Sequence, residues 1–287
     1  MDRVNVAQYW EHINDNVIKC NLCPLFCKIT DGHTGMCGVR TNVKGTLFAT
    51  SYGHITAIAL DPIEKKPLTM FYPGSTILSV GSYGCNLKCQ FCQNYRLSME
   101  YKGIETKYIS PEQLVEMAIT AKRDGNIGIA HTYNEPLIAY EYIKDCSIAI
   151  KNAGLKNVLV TNGYINEEPL KELLPYVDAM NIDLKGSTQK TYDKVRGTLE
   201  DVLNVIKIAS ETCHVEVTTL VIPNENEDEV EDIAKIITSI DPSISYHISR
   251  FFPRYNYSDK LPTSSEVMYR VYEKAKPYLK NIYLRNM

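Results

Sequence analysis

The sequence predicts an α/β fold: a partial (β/α)6 TIM-like barrel over residues 76–287, preceded by a Cys-rich metal-binding module over residues 1–75. Three observations predict it. From residue 76 onward, short apolar segments alternate with helix-patterned ones, which is the mark of βαβ units and a parallel sheet. Polar clusters stand at successive strand ends, where α/β folds build their sites. Seven of the nine cysteines fall in two tight groups, and both groups have metal-ligand spacings.

The strand candidates are Ile77–Ser82, Ile127–His131, Asn157–Thr161, Ala179–Leu184, His214–Val221 and Ser245–Ser249, with Asn281–Leu284 as a further one. Each is short, apolar and rich in Val, Ile or Thr, as buried parallel strands are. Helices fill the gaps. SPEQLVEMAITAKRDG starts with Ser110 as a cap and Pro111 in the first turn, and stops at Gly125. PLIAYEYIKDCSIAIKNAG runs from Pro136 to Gly154 in the same way. EDEVEDIAKIITSI carries acids in its first turn, which suits the helix dipole. About six such units are too few for an eight-fold barrel. A curved, partly open sheet is the first reading and a flat doubly wound sheet the second.

A chain of 287 residues buries one sizeable core. The net charge of −3, with both signs interspersed, argues against a nucleic-acid surface. No apolar stretch reaches the roughly 20 residues that cross a bilayer. The start, MDRVNVAQYWEHINDN, lacks the basic residues and apolar run of a signal peptide. The expected location is the cytoplasm, away from membranes. Cys146 and Cys213 stand outside both groups and read as small buried hydrophobes.

In GCNLKCQFCQN, Cys85, Cys89 and Cys92 have the spacing C-x3-C-x2-C. Three thiolates on one loop grip three irons of a cubane cluster and leave the fourth open, whereas ferredoxin-type frameworks supply four cysteines. An open iron can bind a substrate. The competing reading is a zinc site completed from elsewhere, although zinc knuckles more often pair cysteines as C-x2-C. The spacing, with Phe91 before the last cysteine, resembles the signature of radical S-adenosylmethionine enzymes. There the open iron chelates the amino and carboxylate groups of S-adenosylmethionine. Reductive cleavage by the [4Fe–4S] cluster gives a 5′-deoxyadenosyl radical that abstracts hydrogen. The protein supplies orientation, electrostatics and a dry cavity.

That chemistry needs partners at the strand ends, where TYNEP, TNG, DLKG, TTLVIPN and HISR follow or close five successive strands. Such segments make good turns, but turns alone do not require acids, Lys and His there. Glu135 and Asp183 are candidate acceptors for the methionyl ammonium, and Lys185 is the candidate cation for its carboxylate. Asp183 and Lys185 lie two apart on a strand and share a face; the competing reading is a surface ion pair. Asn134 and Asn162 are candidates for the ribose hydroxyls, Phe91 and Val221 for adenine packing. His247 is a candidate for ribose or substrate, against a satisfied core histidine.

The second group, Cys20, Cys23, Cys27 and Cys37, has the spacing C-x2-C-x3-C-x9-C, with Gly32, Gly35 and Gly38 for tight turns. Four thiolates suit structural zinc or a closed [4Fe–4S] cluster. A cluster would relay electrons inward; zinc would only fold the module. The companion site favours iron–sulfur.

The whole chain resembles the radical S-adenosylmethionine enzyme of the AmmeMemoRadiSam system, a relative of the pyruvate formate-lyase activating enzymes. The resemblance rests on CNLCPLFC with GMCGVR, DPIEKKPLTMFYPGS, GCNLKCQFCQN, TYNEP, TNG, NIDLKG, VEVTTLVIPNEN and YHISRFFPRY. It implies that Glu135 matches the acid of the activating enzymes' Gly-Gly-Glu motif, here replaced by TYNEP. Asp183 and Lys185 match their Asp-Leu-Lys element, and His247 their late histidine. It also implies that residues 61–74, otherwise a proline-rich connection, lie beside the active site. The implied partners are a reductant such as ferredoxin or flavodoxin, and Memo-like and Ammecr-like proteins. The substrate is a protein, on which a glycyl radical is installed, or a molecule modified directly. Two other classes compete: a non-catalytic iron–sulfur electron carrier or redox sensor, and a zinc-dependent interaction module. The carrier leaves TYNEP, TNG and DLK unexplained.

Overall fold

The computed structural model describes residues 5–287. Its main sheet contains β1 (Ala57–Pro62), β2 (Thr76–Gly81), β3 (Asn126–His131), β4 (Lys156–Thr161), β5 (Ala179–Asp183), β6 (His214–Val221), β7 (Ser245–Arg250) and β8 (Ile282–Arg285). The strands lie side by side in chain order. β2 to β8 are parallel, and β1 runs antiparallel along β2. β1 and β8 remain as edges, so the barrel is not closed. Strict chain order overturns the flat doubly wound alternative, whose strand order reverses at a switch point. Right-handed crossovers repeated in one direction put the crossover helices on one face.

Those helices are α1 (Pro111–Thr120), α2 (Tyr140–Asn152), α3 (Glu167–Leu173), α4 (Leu199–Ser210), α5 (Val230–Ile240) and α6 (Ser265–Ala275). The cap expected at Ser110 is present. Its hydroxyl accepts the Gln113 N–H, and the Gln113 side chain accepts the Ser110 N–H at 2.9 Å, a reciprocal capping box.

The opposite face is filled by the chain itself. Ala130, Val158 and Ala179 stand in register on β3, β4 and β5. Their short side chains leave room for Ile63, Leu68 and Phe71, which pack there with Ile77 in a buried cluster of their own. Fully burying Ile63 and Leu68 contributes about 1.5–3 kcal/mol each. Polar anchors set the depth. Asn181 donates to the Pro67 carbonyl at 2.9 Å, and Glu216 accepts the Thr69 and Met70 N–H groups at 3.0 and 2.8 Å. Residues 63–72 are thus a plug in the open sheet rather than an outer connection. Residues 57–75 pack with this sheet, apart from the cysteine module.

The module itself contains two small antiparallel sheets. One holds Trp10–Asn14, Val17–Cys20 and Lys28–Thr30; the other holds Asn5–Val6, Arg40–Val43 and Thr46–Ala49. It docks on α2 through a buried ion pair, Arg40 to Glu141 at 3.0 Å. Among the described residues, no helix is long and apolar enough to cross a membrane. Cys146 is buried in α2 and Cys213 half-buried before β6.

Candidate active site

The C-terminal ends of β2 to β7 surround a cavity of about 370 Å3. Cys85, Cys89 and Cys92 line it from the loop after β2, together with Phe91. Asn134 and Glu135 line it from the end of β3, Asn162 from β4, and Asp183 and Lys185 from β5. The structure therefore brings nine of the expected residues to one place. All three cysteines are free. Burial pushes the Cys89 thiol up to about 11, although Lys185 pulls the other way, and burial also raises Cys85 and Cys92.

Glu135 is buried and well held. Its Oε1 accepts the Leu137 N–H at 3.0 Å and the Thr161 hydroxyl at 2.7 Å; its Oε2 accepts the Asn162 N–H at 2.7 Å. It caps the short turn of 310 helix that begins at Pro136. Burial nevertheless pushes its pKa up to about 7, with Asp183 adding to the rise against those three bonds. Lys185 stands 2.7 Å from the Asp183 carboxylate. Burial works most strongly against its charge, but Asp183, Cys89 and Tyr192 together outweigh burial and hold the ammonium. The pair is the ion pair weighed from sequence, set in the cavity wall.

Two amides expected to be open to a ligand are already engaged. Asn134 accepts the Ser82 N–H at 2.9 Å and donates to the carbonyls of Gly84 and Glu135 at 3.2 Å. It holds the start of the cysteine loop. Asn162 accepts the Tyr164 N–H at 2.9 Å. Its NH2 group donates to Asn86 at 3.0 Å and approaches Cys85 Sγ at 3.6 Å. N–H···S contacts of this type tune iron–sulfur centres.

Two expected residues are not brought to the cavity. Val221 is buried, but strand alternation turns it away and puts its neighbour Leu220 on the cavity wall. His247 is also buried and lies one pleat below Ser249, which lines the cavity instead. Arg285 Nε donates to His247 Nδ1 at 3.0 Å, so the ring proton sits on Nε2 and is donated to Glu216 at 2.6 Å. His247 thus supports the plug from beneath the cavity floor. Burial opposes charge on Glu216, yet the bonds from His214, His247 and the plug backbone hold its carboxyl well below the usual range.

The plug supplies residues that strand-end reasoning missed. Lys65 and Pro67 line the cavity, as does Tyr133. Asp61 accepts from Lys66 at 2.8 Å, Tyr133 at 2.9 Å and Lys65 at 3.2 Å. The signal was the DPIEKKP run itself, whose place beside the site the resemblance implied.

The four other cysteines also converge. Cys20, Cys23, Cys27 and Cys37 line one small, mostly apolar cavity with Arg40 and Ile138. Among the described residues, no three His, Cys, Asp or Glu side chains are arranged to hold a single metal ion.

Comparison with known proteins agrees with this geometry. Residues 79–237 match the model of the radical SAM superfamily. An uncharacterized protein of Methanocaldococcus jannaschii is 41% identical over 98% of this chain and 85% of its own length. A provisionally named glycyl-radical enzyme activating enzyme of the same organism is 28% identical over 76% of this chain and 92% of its own length. Streptococcus suis SuiB, in a crystal structure with bound S-adenosylmethionine, superposes with a TM-score of 0.56 at 17% identity, over 73% of this chain and 52% of that one; this likeness concerns the fold. By the span of the family match and the near-complete alignment to a relative, the chain belongs to the radical SAM superfamily and is a radical S-adenosylmethionine enzyme, a family that works with a [4Fe–4S] cluster.

Proposed function

We propose that Cys85, Cys89 and Cys92 hold the [4Fe–4S] cluster and that the cavity they line binds S-adenosylmethionine against it. The donor set fits both groups: three free thiols share one cavity with two carboxylates and two lysines. That convergence is the observation that carries the reading. When bound, the cluster and S-adenosylmethionine supply a 5′-deoxyadenosyl radical for hydrogen abstraction.

The chain's own residues then have distinct tasks. Asp183 and Glu135 accept from the methionyl ammonium. Lys185 faces the carboxylate. Phe91 and Leu220 offer apolar surface to the adenine. Asn134 and Asn162 act through the cysteine loop, holding it rather than touching the ribose. The plug closes the floor and excludes water from below.

The fold is read as a partial (β/α)6 barrel: six crossover helices and an unclosed sheet support it. The cavity lies near the lower end of the roughly 300–1,000 Å3 of small-ligand pockets, room for one nucleoside-sized cofactor and little more. The substrate therefore presents one reactive group at the mouth. A peptide segment does so readily, and a relative's name as an activating enzyme points the same way. Memo-like and Ammecr-like proteins are the proposed partners, with a ferredoxin or flavodoxin as reductant. The N-terminal cysteines are proposed as a second metal centre, zinc or iron–sulfur.

Anaerobic reconstitution with iron and sulfide, then reduction in the presence of S-adenosylmethionine, tests the reading. The expected product is 5′-deoxyadenosine, and its absence from a fully loaded protein overturns the proposal.

A further inference from the structure

The two cysteine groups, 48 residues apart between Cys37 and Cys85 in the chain, touch in space. The Cys85 backbone N–H donates to the Cys37 carbonyl at 3.2 Å. Gly84 makes that approach possible. Its φ is +85°, and a Cβ there would stand 2.5 Å from the Cys37 oxygen. A second link runs through side chains. Asn86 lies beside the Cys23 thiol and accepts from Asn162, which contacts Cys85 Sγ.

Arg40 stands at the four-cysteine cavity in an unusual state. It is 1% exposed. One side of its guanidinium is bound to Glu141 and to the Gln8 carbonyl. Its Nε–H has no partner. Burying a charged donor without a partner is costly, so the position calls for an acceptor in the cavity. Four thiolates with bridging sulfides offer one.

We propose that Cys20, Cys23, Cys27 and Cys37 bind a redox-active iron–sulfur cluster, that Arg40 Nε donates to it, and that it passes single electrons to the cluster on Cys85, Cys89 and Cys92 across the Cys37–Cys85 contact. The relay rests on the radical enzyme reading above; the Arg40-poised cluster does not. One electron enters from a low-potential one-electron donor protein, which is oxidised by one electron. The N-terminal cluster is reduced and then reoxidised as the second cluster is reduced. No bond forms or breaks. Arg40 is a positioning residue here: its charge stabilises the reduced, more negative cluster.

The full chain carrying Cys85→Ala, Cys89→Ala and Cys92→Ala isolates the N-terminal centre. After anaerobic reconstitution it should hold about four irons and four sulfides, the content of a [4Fe–4S] centre on four cysteines. Redox titration followed by electron-paramagnetic resonance then compares two further changes in that background. Arg40→Lys keeps a cation beside Glu141 but removes the Nε donor. The pair Arg40→Gln with Glu141→Gln keeps a hydrogen-bonded couple without buried charge, and guards against misfolding of the first. Both should lower the midpoint potential, for the paired variant by about tenfold in the oxidised-to-reduced ratio at fixed potential, or about 59 mV for one electron. Zinc in place of iron, or unchanged potentials in both variants, overturns the proposal. For the relay, replacing Cys20, Cys23, Cys27 and Cys37 by Ser keeps the Cys37 carbonyl. Fast reduction of the remaining cluster by flavodoxin should be lost while its spectral response to S-adenosylmethionine persists. Undiminished reduction refutes the relay. A wild-type cluster indifferent to S-adenosylmethionine refutes the enzyme reading instead, while the potentials of the isolated centre still decide the Arg40-poised cluster by themselves.

Discussion

The Asn162 N–H donates to Glu135 Oε2 at 2.7 Å, so the acid at the end of one strand is fastened to the backbone at the end of the next. This tie keeps a carboxyl group buried in the cavity wall with its pKa pushed up to about 7, first by burial and further by Asp183.

A pH dependence follows for the metal-free chain. The folded pKa lies above the unfolded value near 4.5, so the folded state binds more protons between the two. Stability should fall as pH rises from about 4.5 to about 7, by up to about 3 kcal/mol, and level off above. Glu135→Gln should flatten that stretch. Urea unfolding of both proteins across this range, under anaerobic reducing conditions, measures the difference. Parallel curves would show that Glu135 ionises freely.

On the proposed reading, Lys185→Ala removes a charge-assisted bond to the carboxylate of S-adenosylmethionine. Such bonds contribute roughly 1.5–3 kcal/mol, so affinity should fall about ten- to a hundredfold. Asp183→Asn should weaken binding comparably. Anaerobic titration of the reconstituted variants checks both, and unchanged dissociation constants would remove these residues from the cofactor site.

His247→Ala should behave differently. It strips Glu216 of one of its donors and Arg285 Nε–H of its acceptor, and stability should drop by roughly 1–3 kcal/mol. Binding of S-adenosylmethionine, measured well below the melting temperature, should hold steady. A selective loss of affinity at constant stability would restore His247 to the ligand.

Asn134→Ala strips the Ser82 N–H and the Gly84 carbonyl of their side-chain partner. A cost of about 1–3 kcal/mol is expected, along with reduced iron retention at the first cluster. Thermal unfolding and iron content per chain report the two effects. Full iron retention would mean that the loop holds its shape unaided.

Much of this was legible in the sequence, for identifiable reasons. The βα alternation, the Ser110 cap and both cysteine groups depend on local spacing, which sequence displays directly. Val221 was misplaced because TTLVIP is apolar or β-branched throughout, so its pattern does not say which face Leu220 takes. Asn134 and Asn162 carry the right chemistry, but only coordinates reveal that neighbouring loops already use it. The plug was illegible as a floor because its anchors are remote. Thr69 and Glu216 are 147 residues apart, and nothing in PLTMF names a partner.

That remoteness has a consequence for how the protein is made. The plug is synthesised before any of the parallel strands it fills, yet its polar anchors lie on β5 and β6, and its brace reaches β8 through His247 and Arg285. Contacts so distant in the chain close late and slowly. On a ribosome, which releases the chain from its N-terminus, the plug must wait for its anchors until β5, β6 and finally β8 arrive. The order of synthesis therefore makes closure of the cavity floor a final event, completed only once β8 has arrived.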